Sequence, residues 1–371
     1  MTANPLVQLG ALGQSPWLDY ITRDLLQSGE LSRMIANDGL RGQTTNPTIF
    51  EKAVAGSDRY DADIRALADD GLKPGEIFEA LAVADVQTAC DMFRPLYNSS
   101  NGGDGFVSIE VSPELANDTQ GTIRDAERLW AAVDRPNVMI KIPGTKEGLP
   151  AITHCLARGI NVNVTLLFGV ERYGEVMEAF LAALEQRRAK REPLNRVASV
   201  ASFFVSRVDT RLDPILDKHA DPSAKVLRSK IAIANAVVAY DAFLQVFRGP
   251  RWDALAKDGA RVQRPLWAST STKDPSLPDV YYAEALIAKD TVNTLPPDTL
   301  NAYRHHGKPK ARILDQVTQA KDQLRALAKA GIQLEEHTTF LETDGVQKFK
   351  ASFTTLLAGV GNKALALTGA D

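Results

Sequence analysis

A lysine within an apolar strand is the residue of this sequence most suited to covalent chemistry. The segment NVMIKIPG, residues 137–144, is almost wholly apolar and ends at Pro143 and Gly144, which is typical of a buried strand. Burial disfavours a charged amine, and a neutral amine is the nucleophile that adds to a carbonyl to form a Schiff base. We therefore predict that Lys141 is a covalent catalyst. The alternative is a lysine whose stem packs while its head reaches water.

Two carboxylates and a hydroxyl could assist such a lysine. Loss of water from the carbinolamine needs a proton donor, and Glu110 is suited to this role, with Thr165 holding a relay water. Cleavage of a carbon–carbon bond beside the iminium needs a base, for which Asp19 is the candidate. The alternatives are a helix cap for Asp19 and a solvated charge at a strand end for Glu110.

Alternation of strands and helices predicts how these residues are positioned. Eight short β-like runs alternate with amphipathic helical segments, at residues 17–21, 40–47, 105–113, 137–144, 160–168, 196–205, 264–270 and 290–296. Eight βα units predict an α/β fold, a (β/α)₈ TIM barrel, with Lys141 pointing inward near the carboxyl end of its strand. A doubly wound sheet is the alternative, but no GxGxxG motif follows the first run.

Polar residues recur near the ends of these runs, where barrel active sites lie. A core would not contain so many of them without a cavity to engage them. They include Asp19, Asn46, Ser108, Glu110, Asn161, Asn163, Thr165, Ser202 and Ser269. We expect one barrel domain over residues 1–371, with extra helices at about residues 48–101 and a helical extension from about residue 308.

Composition excludes several classes of protein. The 371 residues are 44% hydrophobic, and their formal net charge of −3 gives no electrostatic case for binding nucleic acid or an anionic membrane. We find no signal peptide and no apolar run of membrane-spanning length, which predicts a cytoplasmic location. KIPGTKEG does not meet the phosphate-loop pattern, and the adjacent His305 and His306 lack the spacing of metal ligands. Cys155 is predicted to be a core residue.

Several motifs together resemble the transaldolases, the Schiff-base enzymes of the non-oxidative pentose phosphate pathway. The matching segments occur in the expected order between about residues 15 and 300: WLDYITRDLL, TTNPTIF, VSIEVSPELANDT, VMIKIPGT, INVNVTLLF, ASFFVSRVD and LWAST. The combination is far more specific than any one segment, and TVNTLPPDTL resembles the longer bacterial and plant-type branch of the family.

The resemblance implies catalytic roles at positions that match the family motifs. Lys141 resembles the lysine that forms the Schiff base, and Asp19 resembles the acid/base that handles the substrate hydroxyl. Glu110 and Thr165 resemble the pair that positions the catalytic water. The protonated imine is itself the electron sink, so the resemblance implies no metal and no organic cofactor.

The resemblance also implies how the substrate is bound. Asn46, Asn163 and Ser202 resemble the groups that bind the three-carbon unit, Phe204 resembles an aromatic wall, and Arg207 resembles the phosphate-binding arginine.

One segment departs from the family pattern. Better-known relatives read ASFR on the seventh strand, with a second phosphate-binding arginine, whereas this chain reads WASTSTKDP. Ser269 matches the pattern but the arginine does not, and Lys273 is the candidate substitute.

The implied activity transfers a dihydroxyacetone unit from fructose 6-phosphate or sedoheptulose 7-phosphate to an aldose phosphate. The resemblance implies sugar phosphates as substrates and leaves the oligomeric state open. A fructose 6-phosphate aldolase is the nearest rival function, but such relatives tend to carry Gln in place of Glu110 and Tyr in place of Phe204. Two more distant rivals are a catalytically inactive binding barrel and a pyridoxal-phosphate barrel, which also uses a lysine on a strand.

Overall fold

Eight parallel strands close into one barrel in chain order, and each predicted run overlaps one of them. This closed sheet confirms the prediction of a (β/α)₈ barrel. The computed structural model describes residues 4–369. The strands are β1 Gln14–Asp19, β2 Gly42–Thr44, β3 Phe106–Glu110, β4 Val138–Pro143, β5 Val162–Leu167, β6 Ser199–Phe204, β7 Arg264–Ala268 and β8 Thr291–Leu295.

Helices surround the barrel and extend the chain beyond it. Those up to β6 are α1 Pro5–Ala11, α2 Arg23–Gln27, α3 Glu30–Asn37, α4 Pro47–Gly56, α5 Asp61–Asp69, α6 Pro74–Ser99, a 3₁₀ turn at Pro113–Leu115, α7 Thr119–Val133, α8 Gly148–Ala157 and α9 Val170–Ala189. Those after β6 are α10 Ser206–Asp217, α11 Pro222–Lys225, α12 Ile231–Val246, α13 Pro250–Lys257, α14 Tyr281–Ala285, α15 Pro297–His306, α16 Ile313–Lys329 and α17 Leu334–Thr368.

Local backbone geometry divides two segments, residues 23–36 and 223–247, that the amphipathic pattern of the sequence predicts as continuous helices. The first is split into α2 and α3 at Gly29, whose φ of 81° is a left-handed conformation that a helix does not contain. The second is split into α11 and α12 by a turn that includes Ser229 at φ 58°. Strand β1 also begins earlier than predicted, because Gln14–Pro16 pair with β8.

The amino end of the barrel is closed by a network of ion pairs and hydrogen bonds. Asp104, just before β3, accepts hydrogen bonds from Ser15 Oγ (2.7 Å), Arg41 Nη1 (3.0 Å) and Arg264 Nη1 (3.1 Å). Ser15 lies at the start of β1, Arg41 in the loop before β2 and Arg264 at the start of β7. Because this end is filled by structural contacts, a reaction site is expected at the opposite, carboxyl end.

Helix α17 runs across the carboxyl end of the barrel. It meets α10 where the Arg211 guanidinium lies 4.1 Å from the centre of the Phe340 ring. Its buried Gly345 sits over the end of β5, since a methyl group added there would lie 3.1 Å from Leu166 Cδ2. Further along, Ser352 is hydrogen-bonded to Thr48 of α4 at 3.1 Å. The site at this end therefore lies under a helix from the C-terminal part of the chain.

Within residues 4–369 no single helix is long and apolar enough to cross a membrane. The helices α12 and α13 reach that length and composition only together, as a pair bent by 68°.

Candidate active site

Lys141 points into the barrel and meets a carboxylate there. Lys141 is only 6% exposed. Its Nζ donates a hydrogen bond to Thr45 O at 2.9 Å and forms an ion pair with Glu110. Strand register places it beside Glu110 on β3 and Asn163 on β5. Ile140 and Ile142, fully buried, alternate with it along β4, as the period of a strand requires. The head of Lys141 does not reach bulk water.

Glu110 is held at the same depth and has an unusual proton affinity. Burial raises the pKa of its carboxyl group, Lys141 opposes that rise, and the nearby Asp19 adds to it. Its side chain is only 13% exposed, so Glu110 is not a solvated charge at a strand end. A carboxyl group that keeps its proton to higher pH can serve as a proton donor.

Asp19 ends β1 and is held by hydroxyl and amide donors. Thr44 Oγ1 donates to Asp19 Oδ1 at 2.9 Å, and Asn46 Nδ2 lies 3.5 Å from the same oxygen. The alternative role of Asp19 as a helix cap is wrong, because Thr22 caps α2 by accepting from Leu25 N. Sequence reasoning missed Thr44, although it is the register partner of Asp19 on β2.

A chain of hydrogen bonds joins three strands beside Lys141. Asn163 Nδ2 donates to Ser108 Oγ at 3.0 Å, and Ser202 Oγ donates to Asn163 Oδ1 at 2.7 Å. All three side chains are at most 3% exposed. These two hydrogen bonds fix the positions of the oxygen and the nitrogen of the Asn163 amide, and the amide is therefore pre-oriented.

Thr165 lies in an irregular part of β5. The register with β6 shifts between Val164 and Leu167, and Leu166 has a φ of 62°. Such a bulge re-aims the side chains around it. Thr165 is 2% exposed, and its Oγ1 has no hydrogen-bond partner within residues 4–369. That hydroxyl is free to bind a water or a substrate group.

Arg207 is the second residue of α10, the helix that follows β6, and lies beside Phe204. Its guanidinium carbon is 5.1 Å from the centre of the Phe204 ring, which is itself 5.3 Å from that of Phe168. Burial lowers the pKa of Arg207, while Asp344 and Asp19 act in the opposite direction. Arg207 Nη1 is buried without a partner in the described part of the chain. Arg207 is therefore not an ordinary exposed arginine at a helix start.

The loop after β7 carries the two remaining predicted residues. Ser269 Oγ lies 3.0 Å from Ser206 Oγ, which links this loop to the start of α10. Lys273 is exposed, and its Nζ donates to Ser271 Oγ at 3.0 Å.

Two further residues considered in the sequence analysis, Cys155 and His306, lie outside this set of side chains. Cys155 is fully buried, which confirms its assignment to the core. His306 lies at the end of α15, 3.2 Å from Asp279. Between residues 4 and 369, no group of three or more His, Cys, Asp and Glu side chains is arranged to hold a metal ion.

Asp209 holds α10, the helix of Arg207, against its neighbours. Its carboxylate accepts from Ala232 N at 2.8 Å, at the start of α12, and from Tyr282 Oη at 3.0 Å. The N-cap residue of α12, Lys230, provides no side-chain hydrogen bond to the first N–H groups of the helix. Burial raises the pKa of Asp209 to about 7, although the backbone N–H of Ala232 opposes the rise.

Asp209→Asn is expected to flatten the pH dependence of stability. The folded pKa lies above the ordinary value of an aspartate, so this group's contribution to stability is complete below about pH 4 and is lost as pH rises to about 7. The rise of the pKa from 3.8 to about 7, at 1.4 kcal/mol per pKa unit, corresponds to a loss of about 4 kcal/mol in all. Urea unfolding at pH 5 and pH 8 measures the part lost between these two pH values, about 2.5 kcal/mol. Asp253→Asn, an exposed aspartate of α13, should keep the wild-type difference between the two pH values. An Asp209→Asn protein with that same difference would contradict the assignment.

Comparison with known proteins gives a consistent result. Residues 16–360 match the family model described as "Transaldolase/Fructose-6-phosphate aldolase". A protein of Frankia alni named "Transaldolase" is 49% identical over 370 residues, covering all of both chains. A "Transaldolase" of Acidothermus cellulolyticus is 51% identical over 358 residues, 96% of each chain, and one of Trichodesmium erythraeum is 44% identical over 378 residues.

Proposed function

Because this chain belongs to the transaldolase/fructose-6-phosphate aldolase family, we propose that it is a transaldolase whose Schiff base forms on Lys141. The observation that carries the proposal is the position of Lys141. Its amine lies inside a closed barrel, at the carboxyl end, against the carboxylate of Glu110. The substrates are sugar phosphates, and the enzyme transfers a dihydroxyacetone unit from a ketose phosphate to an aldose phosphate.

Schiff-base formation uses the pairing of the lysine with a carboxylate. Transfer of one proton from the Lys141 ammonium to Glu110 gives a neutral amine and a carboxylic acid at once. The amine adds to the ketone carbon of the substrate and forms a carbinolamine. Glu110 then donates its proton to the carbinolamine hydroxyl, which leaves as water, and a protonated imine remains. We propose that the unpartnered Thr165 hydroxyl holds that water.

Carbon–carbon cleavage follows from the position of Asp19. Its carboxylate takes the proton of the hydroxyl two carbons from the imine carbon, and the carbon that bears this hydroxyl becomes a carbonyl carbon. The bond that breaks joins this carbon to the carbon next to the imine carbon. The electron pair of that bond moves to the imine, which leaves an enamine and frees an aldose phosphate. Addition of the enamine to a second aldose phosphate, followed by hydrolysis, reverses these steps and releases the new ketose.

Recognition of the bound three-carbon unit is assigned to oriented polar groups. Asn46, Asn163 and Ser202 are proposed to bind its hydroxyls, since the Asn163–Ser202 hydrogen bond fixes the direction of each group. Phe204 forms an apolar wall. Arg207 binds the phosphate through its unpartnered buried N–H. Ser269 and Lys273 line the substrate site on the side of β7.

Borohydride trapping tests the covalent step. Incubation with fructose 6-phosphate and borohydride should reduce the imine to a stable adduct, with peptide mapping placing the added mass on Lys141. Fructose 6-phosphate without borohydride is the control and should leave the peptide unmodified. An adduct on another lysine, or none, would contradict the proposal.

The need for an acceptor sugar distinguishes transfer of the dihydroxyacetone unit from its release. A transaldolase converts fructose 6-phosphate rapidly only when erythrose 4-phosphate is present, whereas an aldolase releases dihydroxyacetone without it. Glu110 and Phe204 favour transfer. Rapid release in the absence of the acceptor would favour the aldolase.

A further inference from the structure

Helix α10 presents two guanidinium groups on one face. Arg207 and Arg211 are four residues apart, and side chains at that spacing are neighbours on a helix. Each has a buried N–H without an acceptor among residues 4–369, namely Nη1 of Arg207 and Nε of Arg211. A buried donor of a charged group is costly when it has no acceptor. Two such donors on adjacent turns indicate a shared anionic ligand.

Aromatic rings, not carboxylates, support both guanidiniums. Arg211 lies over Phe340 of α17 at 4.1 Å, as Arg207 lies over Phe204 at 5.1 Å. A ring supports the flat face of a guanidinium and leaves its N–H groups at the edge free to bind an anion. The ion pairs formed within 4.0 Å by the described residues include neither arginine, although they include many of the other arginines.

The titratable groups around Arg211 include no ion-pair partner for it among the described residues, although Glu336 of α17 raises the pKa of the nearby His337. Burial, and then Arg211 itself, lower the pKa of His337 on α17, so that imidazole is neutral at pH 7. Asp344, one turn after Phe340, acts on Arg207 at a distance and is itself ion-paired with Lys348 at 2.6 Å. Where α10 meets α17, the two guanidiniums are thus without ion-pair partners among the described residues, whereas Asp344 is paired with Lys348.

We propose that Arg211 is a second phosphate-binding residue, which binds the terminal phosphate of the sugar together with Arg207. This inference rests on the proposed function, because it deepens the recognition of a sugar phosphate at that site. A phosphate offers several oxygens, so N–H groups one helical turn apart can bind different oxygens of one dianion. Lys273 contributes less, since its ammonium is exposed and already hydrogen-bonded to Ser271.

Arg211→Ala is expected to weaken binding of the phosphate without impairing the chemistry. Loss of a charged hydrogen bond should raise KM for fructose 6-phosphate by about ten- to a hundredfold and leave kcat within about threefold. Inhibition by inorganic phosphate should weaken by a similar factor. With unphosphorylated glyceraldehyde as the acceptor, the KM for that acceptor should not change. Arg211→Lys should restore only part of the effect, because an ammonium lacks the planar fork of a guanidinium.

Matched measurements separate this inference from the proposed function. Arg124→Ala, an exposed arginine of α7, should behave as the wild type, and thermal unfolding checks that each variant is folded. If the wild type is active but Arg211→Ala keeps KM and phosphate inhibition within about twofold, the inference fails. If the wild type forms no borohydride adduct, the proposed function fails. Calorimetric titration of wild type and Arg211→Ala with inorganic phosphate then still decides whether Arg211 binds phosphate.

Discussion

Replacement of Lys141 by methionine is expected to lower kcat by roughly 10⁵- to 10⁶-fold, the scale of loss when a covalent nucleophile is removed. Methionine has a similar length and fills the same space in the barrel, but it cannot form an imine. The bound ketose then has no electron sink, and cleavage of its carbon–carbon bond stops. Coupled assay of aldose phosphate transfer measures the loss, and mass spectrometry after borohydride treatment should show no adduct.

A control distinguishes loss of chemistry from loss of structure. Lys329→Met, at the exposed end of α16, removes a lysine outside the site and should leave kcat unchanged. The Lys141→Met protein should remain folded, because Glu110 can take up a proton once its cationic partner is gone. A folded Lys141→Met protein with more than about one hundredth of wild-type kcat would show that the lysine is not the nucleophile.

The inward direction of Lys141 could be predicted because a strand has a period of two. Once Ile140 and Ile142 are assigned to the face against the helices, Lys141 must face the opposite side. Eight β-like runs separated by helical patterns favour the barrel, and the absence of a GxGxxG motif after the first run argues against the alternative, a doubly wound sheet. These predictions depend only on local pattern, and the structure confirms the barrel.

Features that depend on backbone geometry or on distant segments could not be predicted. No residue pattern in the segment INVNVTLLF indicates the bulge around Thr165. The position of α17 over β5 depends on packing between residues about 180 apart in sequence, such as Leu166 and Gly345. Arg211 was missed for the same reason, because its unpartnered N–H and its contact with Phe340 exist only after α17 has docked.

The pairing of Lys141 with Glu110 modifies the prediction that the amine is neutral. Burial alone would favour a neutral lysine, but the carboxylate at contact distance favours a charged one. Register explains the contact, because Glu110 and Lys141 are direct partners on β3 and β4. The two groups therefore form one acid/base unit, in which a single proton can pass from the ammonium to the carboxylate.

Glu110→Gln is the second substitution with a large expected effect. The amide keeps the size and polarity of the side chain but can neither take the proton of the Lys141 ammonium nor donate one to the carbinolamine. Loss of this acid/base step is expected to lower kcat by about 10²- to 10⁴-fold. Initial rates with fructose 6-phosphate and erythrose 4-phosphate measure it. Glu342→Gln is the matched control, since burial also raises the pKa of Glu342 and it also has a cationic partner, Arg172.

The pH profile of Glu110→Gln tests the role of the shared proton. In the wild type, kcat/KM is expected to fall at low pH, where a second proton blocks the amine, and at high pH, where the pair loses the proton that Glu110 must donate. Because burial raises the pKa of Glu110, the alkaline fall is expected above the ordinary range of a carboxyl group. The glutamine variant has no such proton to lose, so its kcat/KM should rise with pH without that alkaline fall. A variant that keeps the wild-type alkaline fall would show that another group donates the proton.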